Sequence, residues 1–168
     1  MPRIVPNLWF STQAEEAEEA YVDALGEGGR YAASCVTDPR RRPSKAHVMT
    51  VHFELFGQPF VAINGGPEFE GNPEFTFNEA ISLEISCATQ DEVDRCWNAL
   101  VAGGKPGPCG WLTDRYGVAW QVTPYRLHEL LNGEDPEGVR RVTQAMLATS
   151  GVPFDIGALQ AAYDDLGS

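Results

Sequence analysis

Basic residues are scarce in this chain. Twelve Lys and Arg stand against 24 Asp and Glu over 168 residues, a formal net charge of −12. Nucleic acids and anionic membrane surfaces are bound by Lys and Arg that displace counterions, so neither is an expected partner. The one basic run, Arg40-Arg41-Arg42 with Lys45 beyond it, is bracketed by Pro39 and Pro43. It reads as a solvated loop, and a phosphate or acidic-ligand contact is the sharper alternative. Cysteines are few and scattered (Cys35, Cys87, Cys96 and Cys109), with no C-x-x-C pair. They form neither a disulfide frame nor a zinc site and read as free cytosolic thiols. No run approaches the ~20 apolar residues of a membrane span. The N-terminus enters Ile4-Val5-Pro6 without the basic and apolar regions of a secretory signal. The expected location is therefore the cytoplasm. What remains is ample for a core: 43% of the residues are hydrophobic, enough for one compact domain or two small fused modules.

One pattern occurs twice. Thr12-Gln13 follows an apolar alternation from Ile4 to Phe10 and opens an acidic, Ala-rich helix. Thr89-Gln90 follows a second alternation, Ile81 to Cys87, and opens another. Both helices close on the same words, Ala24-Leu25 with Gly28-Gly29 and Ala99-Leu100 with Gly103-Gly104. Period-two alternation predicts strands. Thr12 with Glu15, and Thr89 with Glu92, predict capping boxes. Between Thr12 and Leu25 the first copy carries two residues more than the second, and the spacing assigns them to its helix. A repeated strand–helix unit predicts two modules about a pseudo-twofold axis, with a ligand groove between them.

Further strands are expected over Tyr31–Val36, Val48–Phe56, Phe60–Asn64 and Val118–Thr123, with turns at Gly57 and at Asp114–Gly117. After Pro124 the pattern turns helical, at Arg126–Leu131, about Glu137–Ala148 and Asp155–Tyr163. The predicted class is α+β: two βαβββ modules in tandem forming a cup-shaped mixed sheet, with helices on the outer face and a C-terminal helical extension. The expected boundaries are 1–66 for the first module, 67–78 for a linker, 79–124 for the second module and 125–168 for the extension.

Several words then resemble a family. They are Asn64-Gly65-Gly66-Pro67 with Phe69 and Phe77, Ala80-Ile81-Ser82, and Gln90-Asp91-Glu92-Val93-Asp94 with Trp97 and Leu100. The longest runs from Cys109-Gly110-Trp111-Leu112 through Asp114-Arg115-Tyr116-Gly117-Val118 to Trp120-Gln121, and Phe154-Asp155-Ile156 with Leu159 follows. The chain resembles the vicinal oxygen chelate superfamily (glyoxalase, bleomycin-resistance and dioxygenase proteins) in its PhnB-like branch, over nearly its whole length. The label often attached to that branch, a demethylubiquinone methyltransferase, finds no support in the residues, because no Gly-rich strand–helix turn is present to seat a methyl donor.

The resemblance implies four metal-ligand places lining the cup, at about Val5, Asn64, Ser82 and Gln121. Val5 has no donor, Ser82 is a poor ligand when neutral, and none of the four is His or a carboxylate. No cofactor is therefore expected, while a divalent metal held elsewhere is left open. His52 and Glu54 share a strand face, and Glu84 faces the cup by alternation. These three are the candidate acid/base or relocated-metal residues. The plain alternative is that they are the wet face of a strand. Asn7, Trp9, Asn64, Ser82, Trp111 and Gln121 are the expected ligand-binding residues, since an aromatic wall with a few amides suits a planar or small polar molecule. Trp97 and Trp120 read as core, His47 and His128 as surface. The functional expectation is a small-molecule binder without the usual metal. The alternatives are a metal-assisted or acid/base enzyme on a small metabolite, and a dimeric scaffold with a vestigial cup. A homodimer is expected because a symmetric copy is the simplest cover for exposed sheet edges.

Overall fold

The computed structural model describes residues 2–25, 29–31, 36–37, 48–66, 72 and 75–165. The expectations for Cys35, the Arg40–Lys45 run and His47, and most of the 67–78 linker, lie outside the described residues. The chain divides into two units, Met1–Thr76 and Phe77–Ser168.

The first unit contains β1 (Asn7–Phe10), α1 (Ala14–Leu25), β2 (Gly29–Tyr31), β3 (Val36–Thr37), β4 (Val48–Leu55) and β5 (Gln58–Asn64). Of the strand expected over Tyr31–Val36, Tyr31 lies in β2 and Val36 in β3, both paired to β4, and 32–35 lie outside the described residues. β1 is shorter than the alternation from Ile4 suggested, because Pro6 has no N–H to give a ladder. The Pro6 carbonyl still accepts from Val61 N at 3.1 Å. The sheet order is β1-β5-β4-β2, with β3 also paired to β4. β1 runs parallel to β5, and the other pairs are antiparallel. Phe56 (φ 50°) and Gly57 (φ 83°) make the two-residue turn of the β4–β5 hairpin, where Leu55 faces Gln58. Positive φ at both positions matches the strand twist.

The α1 stripe Ala14, Ala17, Tyr21 and Leu25 is buried, as are Leu8, Phe10, Val51, Phe53, Leu55, Phe60 and Ala62 of the sheet. Tyr21 stacks on Phe53 at 6.3 Å and Phe53 on Phe60 at 5.4 Å. The capping box expected at Thr12 does not form. Asn64 takes its place from β5: its Oδ1 accepts from Ala14 N at 2.9 Å, and its Nδ2 donates to Glu15 Oε2 and Val48 O at 3.0 Å each. α1 and α2 are both twelve residues long. One of the two extra residues is Gln13, taken up before α1.

Glu18 lies on the buried stripe, 2% exposed, and its Oε1 has no hydrogen-bond partner among the described residues. Burial raises its pKa, helped by the negative charges of Glu19 and Asp23. A carboxyl raised in the folded state stabilises below its unfolded pKa, and that contribution is lost as pH climbs toward the folded value. Glu18→Gln is therefore expected to raise Tm at pH 7, with the gain over wild type shrinking towards pH 4. A gain that persists unchanged at pH 4 counts against an ionisation cost at this site.

The second unit contains β6 (Leu83–Cys87), α2 (Gln90–Val101), β7 (Lys105–Pro106), β8 (Trp111–Thr113), β9 (Ala119–Pro124), α3 (Tyr125–Leu131), α4 (Pro136–Ala148) and α5 (Ile156–Asp164). Its sheet order is β6-β9-β8-β7, with β6 parallel to β9. Here the capping box forms as expected, Thr89 accepting from Glu92 N and the Glu92 side chain accepting from the Thr89 backbone. Gly103 (φ 81°) follows the α2 C-cap, the left-handed position that glycine fills. Val93, Cys96, Trp97 and Leu100 of α2 are buried, with Ile85, Cys87, Leu112, Trp120 and Val122 of the sheet. The turn after β8 is organised by Asp114, 6% exposed. Its Oδ1 accepts from Tyr116 N (2.8 Å) and Val118 N (3.0 Å), and its Oδ2 accepts from Trp120 Nε1 (2.9 Å).

The C-terminal helices close a second core of Leu127, Leu130, Val142, Phe154 and Leu159. Asp135 and Asp155 cap α4 and α5. Gln90, at the start of α2, clamps the extension: Nε2 donates to Phe154 O and Oε1 accepts from Ile156 N, both at 2.8 Å. The extension thus packs on the second unit.

Candidate functional site

Strand register decides which side chains share a face. In the first unit, Asn7, Trp9, Thr50, His52, Glu54, Pro59, Val61 and Ile63 lie on the sheet face away from α1. Asn7 is exposed, and its Nδ2 donates to the Val5 carbonyl at 2.9 Å. Trp9 is half-buried and stacks on Phe75 with centroids 4.9 Å apart. A Cβ on Gly65 would come within 2.4 Å of the Trp9 indole, so only glycine lets the ring lie there. His52 is exposed and Glu54 half-buried on β4. Asn64 is displaced from its expected role. It points to the α1 side, with both amide atoms spent on the helix start and Val48. The residue of β5 that faces away from α1 at this level is Ile63, opposite Trp9 and Thr50. The shift is one residue, which in a strand reverses the face.

In the second unit, the face away from α2 carries a straight row. Trp111 on β8 is paired with Gln121 on β9, and Gln121 with Glu84 on β6. Gln121 Nε2 donates to Ser82 Oγ at 2.8 Å, so two of the four expected places are brought together. Trp120, one residue away, is 2% exposed on the opposite, helix-covered face. Glu84 Oε1 lies 2.9 Å from His128 Nε2, and Ser86 Oγ lies 3.5 Å from the same oxygen. The side chains of His128 and Glu84 are 51% and 37% exposed, so the pair is accessible rather than a core ion pair. His128 is thus the residue that sequence reading left as plain surface. Leu127 and Leu130 of α3 are buried and His128 is exposed, but nothing in the sequence linked His128 to a glutamate 44 positions earlier.

The candidate trio is carried by both units: His52 and Glu54 on β4 of the first, Glu84 beside His128 in the second. Among the described residues, no group of three or more His, Cys, Asp or Glu side chains could hold a metal ion. The family's usual ligand set does not fit either. Val5 offers no side-chain donor, Asn64 is committed to α1, and Ser82 and Gln121 bond to one another as neutral groups. Cys87 and Cys96 are core thiols, 2% and 1% exposed. A hydrogen bond with Cys96, and then burial, push the Cys87 thiol up. Cys109 is half-buried against the C-terminal core.

Against known proteins, residues 2–123 match the family described as 3-demethylubiquinone-9 3-methyltransferase. Among solved structures, the PhnB protein from Bacillus cereus is 30% identical with a TM-score of 0.61, the match covering 73% of this chain and 99% of that one. A protein from Pseudomonas aeruginosa is 26% identical with a TM-score of 0.57, covering 74% and 98%. More distant is a glyoxalase/bleomycin resistance protein from Albidiferax ferrireducens, 16% identical with a TM-score of 0.42, covering 73% and 98%. No curated protein matches the chain.

Proposed function

This chain belongs to the PhnB-like family described as 3-demethylubiquinone-9 3-methyltransferase, and we propose that it is a glyoxalase-like protein that binds a small organic molecule without a bound metal. The observation that carries this reading is the hydrogen bond from Gln121 to Ser82. Two of the four ligand places satisfy each other, so a dication would have to break a neutral pair and would gain no anionic oxygen or imidazole in return. The sheet faces offer instead what an organic ligand uses: aromatic surface at Trp9 and Trp111, and hydrogen-bonding groups at Asn7, His52, Glu54, Ser82, Glu84 and Gln121. The cup that would enclose such a ligand, the cytoplasmic setting and the homodimer belong to this proposal. No helix among the described residues is long and apolar enough to cross a membrane. β1 and β6 each end a sheet, and a symmetric copy is a simple cover for such edges.

The methyltransferase named in the family's description requires a methyl donor, and the described residues show no Gly-rich strand–helix turn that would seat one. The test is elemental. Protein purified without a His tag is expected to carry less than about a tenth of an equivalent of Zn, Mn, Fe or Ni, and to keep its Tm after chelation. It is also expected to be stabilised by hits from a small organic library, with Gln121→Ala weakening them. Near-stoichiometric metal that is lost in His52→Ala or His128→Ala would instead make this a metalloprotein with a relocated site.

A further inference from the structure

We propose that the row Trp111–Gln121–Glu84 recognises a planar ligand bearing an amidine- or guanidine-type group, and that His128 positions Glu84 for that task. The inference rests on the metal-free binding reading and names the ligand class for one face of it.

The three residues are cross-strand neighbours on β8, β9 and β6, so the row spans ~10 Å at strand spacing. What each side chain has left to offer follows from what it has already bonded. Gln121 uses its Nε2 on Ser82, which leaves Oε1 as an acceptor for a ligand. Glu84 uses Oε1 on His128, with Ser86 at 3.5 Å from the same atom, which leaves Oε2. Two acceptors on adjacent strands, one of them a carboxylate, call for a ligand with two N–H donors side by side. An amidinium or guanidinium supplies both in one plane and adds a charge-assisted bond to Glu84. The half-buried Trp111 at the other end of the row provides a flat wall for the ligand's ring and attracts cations over its face. By register, the basic residue on this sheet face is Lys105, on β7 opposite Thr113 and one strand beyond the row. The chain's net charge of −12 also disfavours an anionic ligand.

His128 is carried by α3, and the family match ends at residue 123. The residue that holds Glu84 therefore comes from the extension and not from the part shared with the family. Its bond fixes one oxygen of a side chain that is otherwise free to sample rotamers at an exposed strand position, and so aims the other oxygen along the row. A purely structural role, anchoring α3 to β6, would use the same bond and leave ligand preference untouched.

Calorimetric titration with three named probes separates the two roles. Benzamidine is expected to bind, and benzamide and benzoate, which share its ring but not its paired donors or its charge, to bind about tenfold more weakly or less. Glu84→Gln is expected to lower benzamidine affinity by about tenfold or more, and Trp111→Leu to lower binding of the ring. His128→Ala is expected to cost about threefold to tenfold. His128→Gln should recover most of that loss, because its amide N–H can reach Glu84. Both Glu84 and His128 are exposed enough that these variants should fold, which Tm confirms. Equal affinity for benzamidine and benzoate, indifference to Glu84→Gln, or no benzamidine binding at about 10 mM each overturns the inference. If metal-free protein then still binds a library hit of another class, the broader binding reading stands without it. If neither binds, both fall.

Discussion

Asp114→Ala is expected to destabilise the protein by about 3 kcal/mol, seen as a fall in the urea midpoint with an unchanged slope. The carboxylate accepts from Tyr116 N, Val118 N and Trp120 Nε1, and Val118 and Trp120 are buried at 4% and 2% exposure. Alanine removes the acceptor for all three donors at once, and a buried donor deprived of its acceptor costs ~1–3 kcal/mol. Asp114→Asn is expected to cost roughly half as much, since Oδ1 keeps the turn while an amide NH2 meets the indole N–H, donor against donor. The comparison also assigns the motif. The longest family-like word, Cys109 to Gln121, has Asp114 and Gly117 at its centre. If Asp114 instead bound ligand, Asp114→Ala would leave the urea midpoint alone and lower only affinity. The structure makes the opposite expectation: the Asp114 carboxylate is spent inside the hairpin, while Trp111 and Gln121 lie on the sheet face away from α2.

The second large effect is expected at Phe154→Ala, a loss of about 3–4 kcal/mol. The ring is 1% exposed in the core shared by α3, α4 and α5. It packs against the backbone at Gly110, where an added Cβ would come 2.5 Å from Cε2 and 2.8 Å from the Val122 carbonyl. Gln90 holds the backbone on both sides of the same point. Truncation therefore leaves a cavity where the extension meets the sheet. Limited proteolysis should first cut within 125–165 in the variant, while wild type resists. Because α3 carries His128, benzamidine affinity should fall with it. Cleavage that begins elsewhere, or a Tm within a degree or two of wild type, would show that the extension is held by other contacts.

Much of this molecule was legible in its residues, for identifiable reasons. The alternation of Ile81 to Cys87, with the helical spacing of Val93, Cys96, Trp97 and Leu100, left one arrangement that buries both stripes, and Trp97 and Trp120 lie in the core that it predicts. The Thr89–Glu92 box is local chemistry within four residues and formed as read. The identical reading at Thr12 failed because Asn64, 50 positions beyond Ala14, offered the helix its first acceptor. The same event took Asn64 out of the expected ligand set, and a one-residue change of face put Ile63 in its place. The trio of His52, Glu54 and Glu84 was chosen by face alone. The structure gives Glu84 a partner, His128, that no periodicity could connect to it.

Period and local capping depend only on near neighbours, so the sequence by itself determined the strand–helix repeat, the core stripes, the helical extension and the membership of a PhnB-like family. Choices that depend on strand register and on pairs distant in the chain were decided by tertiary structure. These are the face shown by Asn64, the Gln121–Ser82 bond, the Trp111–Gln121–Glu84 row and the His128–Glu84 pair. In a strand each residue reverses the one before it, so an uncertainty of one position, trivial for the fold, is the difference between a helix cap and a binding residue.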